Sequence, residues 1–246
     1  MSLSAGEGVL VVVPTYNEAE NIERLIDAVR TSVPEASVLV VDDGSPDGTG
    51  ALVAARAGHR VHLLERENKQ GLGRAYVAGF TWGLERGFER FVEMDADFSH
   101  DPSDLPALVA STADCDVAIG SRYVDAGEVV GWSRGRELLS RFGNTYARLL
   151  LGFPFRDSTS GFRCYRKSVL EAIELEDVRS EGYAFQIEMT YRAWRRGFGV
   201  TEIPIAFRDR TQGRSKMSKA IVREAITSVA RWAARDRICR SGRTQA

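Results

Sequence analysis

The stretch Arg90-Phe91-Val92-Glu93-Met94-Asp95-Ala96-Asp97-Phe98-Ser99-His100 runs from apolar residues into two carboxylates one residue apart. Phe91, Val92 and Met94 suit a buried strand, and Asp101-Pro102-Ser103-Asp104 reads as a turn into a helix. Asp95 and Asp97 therefore fall at a strand's carboxyl end. On an extended chain, residues i and i+2 point to one face, so the pair can converge on one cation or polar ligand. Neighbouring carboxylates repel unless a positive charge lies between them. Mg²⁺ or Mn²⁺ suits such a place, because hard cations take oxygen ligands completed by water and substrate phosphate. The pair alone leaves a second reading open, in which Asp95 ends the strand and Asp97 caps a turn.

Upstream, Val9-Leu10-Val11-Val12-Val13-Pro14 is continuously apolar and β-branched, as in a parallel strand covered on both faces. A turn follows, with Asn17 as the expected helix cap, Glu20 three residues on, and Ile22, Leu25, Ile26 and Val29 at helical spacing. Val38-Leu39-Val40-Val41 then opens a second unit that ends in Asp42-Asp43-Gly44-Ser45-Pro46-Asp47-Gly48-Thr49. Strands alternating with helices predict a mostly parallel sheet, whose ligands bind beyond the strands' carboxyl ends. Tyr16, Glu18, Asp42, Asp95 and Asp97 all fall at such ends. Either they form one polar site, or the topology alone has placed them there.

Downstream, Val61-His62-Leu63-Leu64 is a short strand, and Gly71-Leu72-Gly73 opens a helix with Tyr76 where a dinucleotide fingerprint would carry its third glycine. That helix's amino terminus is read as facing phosphate. Residues 102–110 read as a helix and 116–120 as a strand leading to Arg122, a rim arginine that either clamps anionic oxygen or makes a surface ion pair. Residues 127–131 read as a flexible entry to a helix over 133–151, with an apolar stripe at Leu138, Leu139, Phe142, Tyr146, Leu149 and Leu150. Arg136 and Ser140 share one face there, suited to a second phosphate or to solvent. Asp157-Ser158-Thr159-Ser160-Gly161 is a polar turn, a helix begins at Tyr183, and 200–207 reads as an edge strand because Pro204 lies in it.

With 246 residues and no linker or repeat, the chain reads as one domain, 1–207, followed by a basic tail, 208–246. The tail sets eleven bases against three acids, and Val222, Ile226, Val229 and Ala233 give it an apolar helical face. Such a helix lies on an anionic membrane or packs on its own domain. A net charge of −1 gives no case for a nucleic-acid partner. Cys115, Cys164 and Cys239 have no metal-ligand spacing and are odd in number, which argues against a disulfide framework and for a reducing cytoplasm. No segment reads as a signal peptide or approaches the ~20 apolar residues of a membrane span, so the expectation is a peripheral protein on the cytoplasmic face.

Six blocks in order carry a resemblance: Val-Pro-Thr-Tyr-Asn-Glu (13–18), Val-Asp-Asp-Gly-Ser-Pro-Asp-Gly-Thr (41–49), Met-Asp-Ala-Asp-Phe-Ser-His (94–100), Gly-Ser-Arg-Tyr (120–123), Asp-Ser-Thr-Ser-Gly-Phe-Arg (157–163) and Asp-Arg-Thr-Gln-Gly-Arg-Ser-Lys (209–216). The chain resembles the inverting nucleotide-sugar glycosyltransferases of family two, and within it the polyprenol (dolichyl) phosphate mannose synthases. The resemblance implies a single α/β domain of GT-A type, Rossmann-like, with helices flanking a mostly parallel sheet. It implies metal-dependent transfer of mannose from GDP-mannose to a polyprenyl monophosphate, at a membrane surface and with a membrane-protein partner in view. Pro14, Tyr16, Glu18, Val40 and Asp42 would hold the guanosine and ribose. Asp95, Ala96 and Asp97 would meet the donor, with Asp97 on the Mg²⁺ or Mn²⁺. Ser99 stands where some relatives carry a metal-binding glutamine, which leaves the second protein ligand open. Arg122, Arg210 and Lys216 would close over the diphosphate, and Arg136 with Ser140 would take the lipid phosphate.

The acceptor implied is itself an oxyanion, since a phosphate monoester has a second pKa near ~6 and is largely dianionic at neutral pH. It needs no general base, and His59, His62 and His100 read as surface or turn residues. Asp157 reads as a remnant of a base position, as a turn former, or as a group positioning Arg122 or the metal shell. A uridine donor with glucose or an N-acetylhexosamine is the alternative on the same fold. A phospho-receiver module fits poorly, because the next strand end offers only Glu65 as phosphoacceptor.

Overall fold

A computed structural model of the chain describes residues 6–209 and 219–243. Its elements run β1 (Val9–Thr15), α1 (Ile22–Ser32), β2 (Ser37–Asp42), α2 (Thr49–Ala55), β3 (Val61–Glu65), α3 (Leu72–Leu84), β4 (Arg90–Glu93), α4 (Leu105–Ser111), β5 (Val117–Ser121) and β6 (Glu128–Val130). They continue as α5 (Arg134–Leu151), β7 (Arg163–Arg166), α6 (Lys167–Ile173), α7 (Gly182–Arg195), β8 (Val200–Pro204), β9 (Ala206–Arg208) and α8 (Lys219–Arg243).

Seven strands form one sheet in the order β3-β2-β1-β4-β7-β5-β8, parallel except for β7, which runs antiparallel to both β4 and β5. Side chains alternate across each strand, so a strand covered on both faces is apolar throughout. Val9, Val11 and Val13 of β1 pack beneath α1 and α4, while Leu10 and Val12 face α3 on the other side. Close approach of α3 depends on two glycines: a Cβ on Gly79 would lie 2.5 Å from Val12 Cγ1, and one on Gly83 would lie 2.5 Å from Leu10 Cδ2. A third apolar cluster joins α5, α7 and α8 through Ala147, Leu151, Ile187, Tyr191, Val229 and Ala233.

Four local expectations change. Asn17 does not cap α1: it sits at φ +60°, and the helix begins at Ile22 with Asn21 in the cap position. The backbone N–H groups of Asn17, Glu18 and Ala19 instead donate to Ser45 Oγ, Thr49 Oγ1 and Asp47 Oδ2 of the next loop. Residues 127–131 are not simply flexible, because β6 pairs in parallel with β9 in a second, two-stranded sheet. The expected strand over 200–207 is two strands: β8 ends at Pro204 on the edge of the large sheet, and the chain crosses to β9. The amino terminus of α3 meets a protein carboxylate, Gly73 N donating to Glu181 Oε2 at 2.9 Å, and not a phosphate.

The expected apolar stripe of α5 divides: Tyr146 and Leu150 pack against the cluster with α7 and α8, and the rest faces outward. Its buried residues are Asn144, Ala147 and Leu151, whereas Leu138, Leu139, Phe142 and Leu149 are exposed.

Candidate active site

The carboxyl ends of β1, β2 and β4 bring three polar segments to one rim. Asp42, 3% exposed, accepts Thr15 Oγ1 at 2.7 Å and both Ser45 N and Ser45 Oγ at 2.9 and 2.6 Å, so it ties the β1 and β2 loops together. Tyr16, next in sequence to Thr15, is half-buried with Lys69 Nζ 4.3 Å above its ring, and Glu18 accepts from Asn21 Nδ2. Pro14 is half-buried at the strand end. A cavity of about 400 Å³ opens next to Asp42, lined also by Gly44, Ser45, Gly48 and Arg66. The side chain of Val40 is fully buried in the core on the face of the sheet that α1 covers, and it offers no surface to a nucleoside.

Beyond Glu93 the chain leaves the sheet, so the same-face geometry expected of Asp95 and Asp97 does not apply. Asp97 is 6% exposed and accepts Ser99 N at 3.0 Å through Oδ1, a turn closed by Phe98 at φ +59° with Arg24 5.2 Å over its ring. Asp97 thus closes a turn, as one of the two sequence readings had it. Asp95 keeps a third of its side-chain surface open and lies 3.9 Å from His100 Nδ1. Ala96 and Ser99 are buried between them. His100 is no surface residue; it is 1% exposed, stacked on Phe162 at 5.1 Å and edge-on to Phe207 at 5.4 Å. Burial pulls its imidazole down to about 4, against the opposing field of Asp97, so it is neutral at physiological pH.

Across β5, Arg122 makes a two-point pair with Asp157, Nε to Oδ2 at 2.7 Å and Nη2 to Oδ1 at 2.6 Å, and also donates to Thr159 Oγ1. Both side chains are buried, Arg122 4% and Asp157 0% exposed. Burial works against both charges, yet each holds the other ionised: the guanidinium is raised and the carboxyl lowered from their ordinary values. Of the roles open to Asp157 in the sequence, positioning Arg122 is the one the geometry realises. The rings of Tyr123, Trp132 and Phe207 stand 5.2 to 5.4 Å from the guanidinium carbon. Arg122 is therefore held inside the protein rather than spread open over the rim.

Those same rings lead to α5. Trp132 carries Arg136 at 4.0 Å on its ring, Arg136 Nη1 pairs with Asp209 Oδ1 at 2.9 Å, and Tyr123 Oη donates to Ser140 Oγ at 2.8 Å. Asn144 fastens the helix to the Asp157 turn, donating to Thr159 Oγ1 at 3.0 Å and accepting from Ser158 Oγ at 3.0 Å. Arg136 and Ser140 stand at one end of a groove of about 220 Å³ between α5, α7 and α8, whose other walls are almost wholly apolar, Leu139, Phe142, Tyr146, Ile226 and Val229 among them. Arg210 and Lys216 lie outside the described residues.

Beneath the β4 loop sits a buried polar cluster that sequence reasoning missed. Arg163 is wholly buried and donates to the carbonyls of Ser158, Ser160 and Gln186 at 2.6 to 2.7 Å, and to Thr190. Glu93 faces it across the β4–β7 register with Tyr165 and Gln186 close by. Burial raises the Glu93 carboxyl to about 7, despite the opposing charge of Arg163. Trp132, Tyr123, Asn144 and Phe207 were likewise absent from the sequence-derived site, because their role is contact across the fold. The one local clue was an indole standing in the glycine- and serine-rich approach to α5.

Among the described residues no cluster of three or more His, Cys, Asp and Glu side chains could hold a metal by itself. What the β4 loop offers is mainly oxygen, the Asp95 and Asp97 carboxylates and the Ser99 hydroxyl, with His100 Nδ1 the one nitrogen beside them, 3.9 Å from Asp95. That set fits a hard cation shared with a substrate diphosphate and water.

A mostly parallel sheet with one antiparallel strand inserted next to β4, polar loops gathered at its rim and an acidic turn after β4 define a GT-A-type glycosyltransferase domain. The chain belongs to glycosyl transferase family 2, which residues 10–174 match. It is 51% identical over 236 residues to the polyprenol monophosphomannose synthase of Mycolicibacterium smegmatis, a match covering 94% of this chain and 89% of that protein. It is 49% identical over 226 residues to the undecaprenyl-phosphate mannosyltransferase of Micrococcus luteus, covering 91% and 93%. Its fold is that of glucosyl-3-phosphoglycerate synthase from Mycobacterium tuberculosis, solved with Mn²⁺, UDP-glucose and phosphoglyceric acid. That comparison has a TM-score of 0.72 and 20% identity, over 94% of this chain and 81% of that one.

Proposed function

We propose that the protein transfers mannose from GDP-mannose to a polyprenyl monophosphate, with inversion at the anomeric carbon and with Mg²⁺ or Mn²⁺. The observation that carries this reading is the placement of Arg136 and Ser140 at the polar end of an apolar groove, joined through Trp132, Tyr123 and Arg122 to the acidic rim. A guanidinium and a hydroxyl suit a phosphate head, and apolar walls suit an isoprenoid chain. The half-identical relatives, named for polyprenol and undecaprenyl phosphate, support the same acceptor class.

In this reading Tyr16, Glu18 and the loop organised by Asp42 hold the nucleoside, and Asp97 with Ser99 would hold the cation. When bound, the cation neutralises charge that develops on the departing diphosphate. The acceptor phosphate oxygen forms a bond to the anomeric carbon as the bond from that carbon to the diphosphate breaks, and GDP leaves with the electron pair. No proton has to be removed from a dianionic acceptor, which agrees with a neutral, buried His100 that faces no nucleophile. Arg136 positions the acceptor, Arg122 braces the rings around it, and Arg210 and Lys216 complete the diphosphate's charge. Among the described residues no helix is long and apolar enough to cross a membrane.

The test is transfer of labelled mannose to a short polyprenyl phosphate from GDP-mannose, with UDP-glucose in parallel, and with Mg²⁺, Mn²⁺ or chelator. Transfer from GDP-mannose that chelator abolishes is expected. Turnover of UDP-glucose alone would move the protein to the alternative donor class.

A further inference from the structure

Both chains that leave the two-stranded sheet reach the same side chain. β6 and β9 run parallel with Val130 opposite Arg208, so Trp132 and Asp209 emerge at one end of the pair. Arg136 stacks on the Trp132 ring, its guanidinium carbon 4.0 Å from the ring centre, and its Nη1 donates to Asp209 Oδ1 at 2.9 Å. The indole thus covers a face of the guanidinium while the carboxylate takes an edge. Backbone geometry sets the approach of that carboxylate. Asp209 N donates to Val130 O at 2.9 Å, and Gly131, at φ +88°, leaves open a place where a Cβ would stand 3.2 Å from Asp209 Cβ. Glu137, the next acid along α5, pairs with Arg141, so Asp209 is the one carboxylate on Arg136 among the described residues. Toward the rim, the Phe207 ring stands 5.4 Å from His100 and 5.3 Å from the Arg122 guanidinium carbon, and Arg208 N donates to Ser99 O at 3.1 Å. Phe207, Arg208 and Asp209, in succession, therefore hold Arg122, the β4 loop and Arg136.

We propose that Asp209 is a positioning residue for the acceptor phosphate: it fixes the Arg136 guanidinium against Trp132 and, through β9, in register with the β4 loop. This rests on the acceptor reading above and adds to it the residue that orients the phosphate's cationic partner. Arginine carries five N–H donors in a rigid fork, and Asp209 takes one on Nη1, which leaves others for a phosphate oxygen. Orientation matters here because the attacking oxyanion has to meet the anomeric carbon in line, and a displaced guanidinium carries the phosphate with it. An ion pair this open to water, 26% exposed on the arginine and 39% on the aspartate, adds little to stability. Its effect lies in where Arg136 points.

The experiment is calorimetric binding of a short, water-soluble polyprenyl phosphate to the full chain, comparing Asp209→Asn with Asp209→Ala, each with Arg136 present and in an Arg136→Ala background. Both substitutions remove the negative charge, so the loss of its repulsion toward the phosphate cancels between them. Only asparagine can still accept from Nη1. With Arg136 present, the alanine variant is expected to bind more weakly than the asparagine variant by about three-fold or more, the scale of one hydrogen bond. Without Arg136 the two should bind alike, and GDP affinity should be the same for both. Equal phosphate affinities with Arg136 present would overturn the proposal. So would a gap that persists in the Arg136→Ala background, which would make Asp209 a general support of its loop, or a gap of the same size in GDP affinity. A wild type that binds no polyprenyl phosphate would remove the acceptor reading and this proposal together, whereas a missing gap in a protein that does bind it removes this proposal alone.

Discussion

Asp97 commits one carboxylate oxygen to the Ser99 N–H at 3.0 Å, and asparagine can accept that same hydrogen bond. Asp97→Asn therefore keeps the turn and removes the charge. Turnover is expected to fall by roughly 100-fold or more with the melting temperature nearly unchanged, since charge placed at a developing diphosphate acts mainly in the transition state. Asp157 presents the opposite case, because its charge matters to the fold. Asp157→Asn leaves the Arg122 guanidinium buried without its partner, a loss of about 3–5 kcal/mol for buried pairs, whereas Arg122→Met added to it should recover most of that in urea denaturation. Glu93 gives a pH dependence. Its carboxyl is raised from 4.5 to about 7, so the folded protein holds a proton that the unfolded chain releases, and the stability this contributes is complete below 4.5 and lost as pH rises through 7. The difference corresponds to roughly 3 kcal/mol. Thermal unfolding followed from pH 5 to pH 8 should show wild type losing stability and Glu93→Gln losing much less; parallel curves would remove Glu93 as the cause. Of these residues Asp97, Arg122 and Asp157 stood out in the sequence as chemistry, and Glu93 did not. For Asp157 the sequence left positioning of Arg122 as one of several roles and did not choose among them, because Arg122 lies 35 residues earlier and only the packing of β5 against β7 joins them.

At the scale of elements, helical spacing located α5 and put Arg136 and Ser140 on one face, but it did not say which face is covered. The packing side of α5 carries Asn144, Ala147 and Leu151, and Asn144 fits there because Ser158 and Thr159 satisfy its amide. A hydrophobic stripe was therefore visible in the sequence while its orientation was not: burial depends on what other elements offer, and amphipathicity is compatible with a core or a lipid. Arg136→Ala should leave GDP-mannose binding intact in calorimetry and raise the KM for the polyprenyl phosphate about ten- to a hundred-fold, the scale of one charge-assisted hydrogen bond of about 1.5–3 kcal/mol. Equal loss of donor binding would assign Arg136 to the donor site. The loops behaved similarly. Asn17 has the composition of a cap, yet the donors it would have served were taken by the loop after β2, 28 residues away.

For the whole molecule, the basic tail is part of the domain's packing through α8. Trp232 stacks on Tyr191 of α7 with ring centroids 6.0 Å apart, and Ala233 is 6% exposed beside it. Trp232→Ala is expected to destabilise the whole domain by roughly 1–3 kcal/mol in a single unfolding transition, the lower part of the range for buried aromatics because the ring is only half-buried. A separate low-temperature transition would mean that α8 melts alone. By itself the sequence determined the alternation of strand and helix, the both-sides-buried strands and the polar rim at their ends. Each of these is set by local spacing, 2.0 residues for a strand and 3.6 for a helix, which a chain carries whatever it packs against. Only the tertiary structure decided the antiparallel insertion of β7, the Arg122–Asp157 pair, the burial of Val40 and His100, and the outward face of α5. These depend on which distant segments come to lie side by side, and that is settled by the sum of packing and desolvation across the fold.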